Sequence, residues 1–343
     1  MENRQGCNPA LEPPRPSFVP ETWTRRDGRG QINRSVVAGL TGINAYESAD
    51  SDNAPLTAHA PHGSIAMIKD IIVHLEHHAA RDPARDFAVT IAEMFDAHLA
   101  AVAFACAPDF PGYVMPEIPS DIVARMIAES EKAALAAIER FEAAARRSLI
   151  SADHRLLKPA GASAPAALST LARRFDLGVF MQSEPNGVDN DDMIEASLFE
   201  SGRPLIVVPY IQKDGLKLDH VVCCWDGSRA ATRAVNDGLP LLVKATTVDL
   251  LIVMNDKTDT SPNEIRGAEM AKHLARHDVK VQIVKIPAAD IDVTNAILSY
   301  VADVSGTLIV MGGYGHARLR EMILGGATRG MLKSMTVPVF MSH

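Results

Sequence analysis

The chain has 343 residues, enough for two domains of ordinary size, and is 47% apolar but only 5% aromatic, so its cores must rest on aliphatic side chains and Met. A net charge of −8 argues against a general nucleic-acid binder, which needs a dense cationic face. The four cysteines (Cys7, Cys106, Cys223, Cys224) make no C-x-x-C pair, no apolar run approaches the roughly 20 residues of a membrane span, and no basic start leads into an apolar leader. A cytoplasmic protein with no membrane partner is expected.

Residues 1–66 are rich in Pro, Arg, Asn, Asp, Ser and Gly and keep no apolar period. Pro13-Pro14-Arg15-Pro16 and Ser48-Ala49-Asp50-Ser51-Asp52 cannot bury enough surface to offset the entropy of ordering. Disorder is expected there, with Met67 a candidate natural start.

From Ile68 the pattern changes. Ile71-Ile72-Val73 predicts a short buried strand, and Pro83 to Ala97 a helix with Phe87, Ile91 and Met94 or Phe95 on one face. Leu99 to Ala105 is a second apolar run. Ser120 is placed to cap a long Ala-rich helix reaching Arg147. A weak strand over His154 to Leu157, a helix over Ala166 to Arg174 and a strand over Leu177 to Met181 follow. A helix over Asp191 to Glu200, stopped by Gly202, leads to a strand over Leu205 to Val208.

The order then repeats. Strands are expected at Val221 to Cys224, Val248 to Met254, Val279 to Ile286, Thr307 to Val310 and Val337 to Met341. Helices are expected at Ser228 to Val243, with Pro240 kinking its last turn, at Asn263 to Arg276, at Val293 to Val301, and ending near Ser334. Glu76 and Asp226 each follow the first strand of their unit, and Pro204 and Pro338 each precede the last. Apolar strands alternating with helices imply parallel sheets covered on both faces. The expected fold is α/β: two tandem doubly wound units, 67–210 and 217–343, after the 1–66 segment.

The segment richest in chemistry is Gly312-Gly313-Tyr314-Gly315, then Gly325-Gly326-Ala327-Thr328, after the strand Leu308-Ile309-Val310. Open α/β sheets bind ligands at the carboxyl ends of their strands. Glycines let backbone N–H groups approach an anion, and a helix starting after Gly325 or Gly326 adds its N-terminal donors. Arg318, Arg320, Arg329 and Lys333 form a basic stretch nearby, which ordinary solvent-facing charges explain equally well.

The pattern Gly312-x2-Gly315-x9-Gly325 resembles the nucleotide-binding signature of the universal stress protein family: Gly, two residues, Gly, nine residues, Gly, then Ser or Thr. Trp225-Asp226-Gly227-Ser228 resembles the family's first strand-to-helix junction, and Thr336-Val337-Pro338-Val339-Phe340 its last strand. The resemblance implies an adenine nucleotide such as ATP as cofactor. It would be held by Asp226 near adenine and ribose, and by Gly312, Gly315, Gly325, Gly326, Ala327 and Thr328. Gly326 stands where the family has Ser or Thr, and Thr328 is the candidate replacement for the missing hydroxyl. The family's dimer contact implies that Leu205 to Val208 pairs with the final strand inside one chain, while association of two chains stays open.

In the first unit the equivalent loop, Gln182 to Asp192, has one glycine and acidic residues that repel phosphate. That unit is expected to serve as a pairing partner. No metal set is convincing: His74, Glu76, His77 and His78 read as a polar loop, His273 and His277 as a solvated helix face, and Asp189, Asp191 and Asp192 as an acidic loop. Cys223 and Cys224 should point to opposite faces of a strand. With no nucleophile–base pair, a stress-linked nucleotide-binding module is the leading expectation. A slow ATP hydrolase and a nucleotide-free interaction module are the alternatives.

Overall fold

The structure is a computed structural model that describes residues 67–77, 81–105, 119–159, 163–185, 187–254, 267–288, 292–313 and 326–343. The expectations for residues 1–66 lie outside this set. Runs of Val, Ile, Leu and Ala form ten strands among the described residues. These are β1 Asp70–His74, β2 His98–Phe104, β3 Ala152–Leu157, β4 Leu177–Met181, β5 Leu205–Val208, β6 His220–Cys224, β7 Thr247–Met254, β8 Val281–Pro287, β9 Leu308–Gly312 and β10 Val339–Ser342. The helices are α1 Pro83–Phe95, α2 Ser120–Arg147, α3 Ala164–Ala172, α4 Asp191–Glu200, α5 Arg229–Asp237, α6 Leu239–Leu242, α7 Ala268–Arg276, α8 Val293–Asp303 and α9 Gly326–Ser334.

All ten strands join one sheet in the order β3-β2-β1-β4-β5-β10-β9-β6-β7-β8. Its two halves mirror each other in order. Each runs outward from its first strand, returns, and ends at the centre. Neighbours are parallel except β5 and β10, which pair antiparallel with Leu205 opposite Met341, Ile206 opposite Phe340 and Val207 opposite Val339. Leu205 and Val339 each follow the Pro that precedes their strand, so this register pairs equivalent positions across a dyad at Ile206 and Phe340. Two apolar layers cover the sheet. Phe87, Phe141, Ala231, Leu241 and Leu274 lie in one, and Leu168, Ile194, Ile297 and Met331 in the other. The linker between β5 and β6 folds back on α1, where Thr90 Oγ1 accepts the Leu216 N–H at 2.8 Å.

Local chemistry sets the helix ends, and it corrects three expectations. Asp82 caps α1 by accepting the Arg85 N–H, and α1 stops at Phe95 rather than Ala97 because Asp96 takes a left-handed conformation, φ 50°. Ser120 lies inside α2. Pro119 is its N-cap and gives no side-chain hydrogen bond, since proline has no donor or acceptor side chain to offer. The helix expected over Ser228 to Val243 is two. It breaks at Gly238, because Pro240 has no N–H and suits only a first helical turn, which becomes that of α6. Gly202, φ 71°, follows α4 as expected. No helix among the described residues is long and apolar enough to cross a membrane.

Candidate functional site

In each half the chain leaves the first strand in one direction and later returns to its other side. The switch points therefore lie between β6 and β9 and between β1 and β4. Crevices at the carboxyl ends of such strand pairs are the general ligand position in open α/β sheets. Asp226 and Gly312 stand at the first of these, Glu76 and Met181 at the second.

At the β6–β9 switch the turn is tight. Gly227 has φ 77°, a conformation that costs little only without a Cβ. Asp226 Oδ1 accepts the Ser228 N–H at 2.8 Å, and Ser228 Oγ accepts the Ala231 N–H at 3.1 Å, so Ser228 is the N-cap of α5. The Asp226 side chain stays exposed. Gly312 packs directly on the first turn of α5: a Cβ there would lie 2.5 Å from the Ala231 backbone nitrogen and 2.6 Å from the Ala230 carbonyl carbon. Backbone cannot withdraw from such a clash, so this glycine is required for close approach whatever else it does. Gly313 follows, with its N–H bonded to Ser342 O at 2.8 Å.

Gly315 and Gly325, with His316, Arg318 and Arg320, lie outside the described residues. Gly326 is the first residue of α9 and Ala327 the second. The Ala327 carbonyl accepts from Thr294 Oγ1 at 3.2 Å. Thr328 is only 3% exposed, so its hydroxyl is enclosed by protein rather than facing solvent. Arg329 and Lys333 are exposed.

The β1–β4 switch is built differently. Glu76 is 3% exposed, and Asn190 Nδ2 donates to its Oε1 at 2.6 Å and to the Met181 carbonyl at 3.1 Å. One amide thus bridges the ends of β1 and β4 from the start of α4. Asp82 Oδ2 accepts the Glu76 N–H at 3.0 Å. Burial pushes the Asp82 carboxyl up to about 6, against the bonds it accepts from Arg85 and Glu76. His74 is enclosed too, and burial holds it down at about 4. The sequence placed Glu76 at this junction but missed Asn190, which sits 114 positions away. The same amide could have been noticed as the polar uncharged side chain set directly between the carboxylates Asp189 and Asp191.

Among the described residues no group of three or more His, Cys, Asp or Glu side chains is placed to hold a metal. His273 and His277 do share a helix face, with ring centroids 4.7 Å apart, and His273 Nε2 meets Asn236 Oδ1 at 3.0 Å. Cys223 and Cys224 point to opposite apolar layers. Burial raises the Cys223 thiol well above its ordinary value and pushes Cys224 up to about 12, so neither is a ready nucleophile.

Residues 217–343 match the family model of the Universal stress protein family. A universal stress protein of Synechocystis sp. is 28% identical over 142 residues, 40% of this chain and 46% of that protein, so the match spans about half of that relative's length. A universal stress protein from Archaeoglobus fulgidus DSM 4304 has the same fold, with TM-score 0.59 and 17% identity over 80% of this chain and 96% of its own. A functionally unknown protein from Pseudomonas aeruginosa PAO1 follows at TM-score 0.51 and 14% identity, over 80% of this chain and 92% of its own. At these identities the two structures speak for the fold alone.

Proposed function

We propose that this chain, whose residues 217–343 form a universal stress protein domain, binds an adenine nucleotide such as ATP at the β6–β9 switch and serves as a nucleotide-reading module in a stress response. The observation that carries the reading is the contrast between the two switch points. Asp226 stands exposed at one, and its counterpart Glu76 is buried under Asn190 at the other. A carboxylate kept at the surface of a strand-end crevice is available to sugar hydroxyls and to an exocyclic amine. One already bonded and enclosed is not.

The roles divide by chemistry. Asp226 uses Oδ1 to hold its own turn and offers its other oxygen to the nucleoside. Gly312 brings the end of β9 against α5, and Gly326 and Ala327 supply the N-terminal backbone of α9 for phosphate. With Thr328 enclosed, backbone N–H groups rather than a hydroxyl carry the phosphate contact at α9. The first half is a structural partner that takes no nucleotide. The chain works in the cytoplasm and passes its state to protein partners.

Calorimetric titration of the full chain with ATP tests this. Saturable binding is expected, weakened about tenfold in Asp226→Asn, which keeps an acceptor for the Ser228 N–H but replaces the outward oxygen. Wild-type chain that takes up no ATP at millimolar concentration refutes the reading.

A further inference from the structure

Gly313 is the residue at which β9 gives way to the glycine-rich segment, and it is held on three sides. Its N–H donates to Ser342 O at 2.8 Å. Its carbonyl lies 2.9 Å from His343 Nδ1, which donates to it when that nitrogen carries the proton. The third side comes from the first half: a Cβ on Gly313 would lie 2.6 Å from Leu198 Cδ2, so the end of that side chain occupies the space beside the glycine. The next residue of α4, Phe199, meets the His343 ring edge-on, with centroids 4.7 Å apart.

The reciprocal contact is present but different. Gln182 follows β4 as Gly313 follows β9, and Leu198 and Leu332 stand at equal distances before Pro204 and Pro338. Gln182 Nε2 donates to the Leu332 carbonyl of α9 at 2.8 Å. Each half therefore touches the strand end of the other through equivalent residues. Only one of the two contacts falls on a glycine at the start of a ligand loop.

We propose that Leu198 and Phe199 of α4, with His343, form a clamp that sets the position of Gly313 and so the nucleotide affinity of the second half. Leu198, Phe199 and His343 are positioning residues. The first half thereby controls a site to which it gives no ligand-contacting group. This inference rests on the nucleotide reading above, but the clamp has its own observable.

The experiment uses the full chain in four forms: wild type, Leu198→Ala, Gly313→Ala and the double variant. ATP affinity is measured by calorimetry, and exchange of the Gly313 amide by mass spectrometry without nucleotide. Each single change should weaken ATP binding about threefold to tenfold and speed the exchange, one by emptying the space beside Gly313 and the other by overfilling it. The double variant should recover toward wild type on both readouts, because the new methyl fills the room that Leu198 leaves. A general loss of stability in α4 would not be repaired by a methyl at Gly313, just past β9. Affinity and exchange equal in all four forms, or effects that simply add in the double variant, overturn the clamp. If wild type takes up no ATP, the nucleotide reading fails, and the four exchange rates still decide the clamp.

Discussion

His74 is enclosed at the carboxyl end of β1, and its Nδ1 lies 3.5 Å from Glu76 Oε1, too far for the pairing to offset the loss of water around a charge. Burial wins, and the imidazole stays neutral with its pKa down at about 4 against an ordinary 6.5. A histidine held low contributes stability that is complete above about pH 6.5 and lost as pH falls through about 4. Asp82 acts in the opposite sense: raised to about 6 from 3.8, it contributes stability that is complete below its ordinary value and lost as pH rises through about 6. Between pH 4 and 6 the two slopes oppose each other. His74→Asn should expose the Asp82 slope alone, so that urea stability rises on acidification where the unchanged protein stays nearly level, a difference of up to about 3 kcal/mol across the window. Urea midpoints with the same pH profile in both proteins would refute the assignment. The sequence displays His74 as one of four polar residues after a strand. It does not display its burial, which depends on packing such as that against the Phe104 ring of β2, with centroids 5.6 Å apart.

The second half holds a staple of elements that no spacing announces. Asp249 is wholly buried in β7, flanked by Val248 and Leu250, and receives Tyr300 Oη from α8 at 2.6 Å, His220 Nε2 from β6 at 2.6 Å and Gln282 Nε2 from β8 at 2.7 Å. Burial alone raises such a carboxyl, but the donors from Tyr300, Gln282 and His220 outweigh it and hold the group below its ordinary value. Tyr300→Phe should cost about 1–3 kcal/mol at neutral pH, read by urea unfolding. The cost should shrink as pH falls through the folded-state pKa of Asp249, since a depressed carboxyl stabilises above its unfolded value and not below. A loss that is absent, or independent of pH, removes the staple. Elements made by local pattern were plain in the sequence: Leu177–Met181, Asp191–Glu200 and Leu205–Val208 all come out as apolar period and Gly or Pro punctuation suggest. Asp249 was not, because its partners lie 29, 33 and 51 positions away. A lone carboxylate inside an apolar strand was the available sign.

One sheet runs through the whole described molecule, and β5 and β10 carry its continuity with Ile206 and Phe340 fully buried. The two halves should therefore melt together. Phe340→Ala removes a buried ring at the seam and should cost about 3–5 kcal/mol. Hydrogen exchange should show β4 and β9 losing protection by the same amount, and destabilisation confined to one half would contradict the shared core. The candidate site was legible in part. Asp226 and Gly312 were named from the family resemblance and from their place near strand ends, and both stand at the β6–β9 switch, whereas the close approach of Gly312 to α5 and the enclosure of Thr328 depend on packing that spacing does not encode.

The antiparallel seam has one more consequence. A dimer of two identical chains writes every substitution twice, once on each side of its axis, so its two crevices must gain or lose a ligand together. Here the axis lies within a single polypeptide, and equivalent places hold different residues: Glu76 opposite Asp226, Gln182 opposite Gly313. Covalent joining frees the halves to inherit separately, and under the proposed nucleotide reading the stoichiometry becomes one occupant for every two folds.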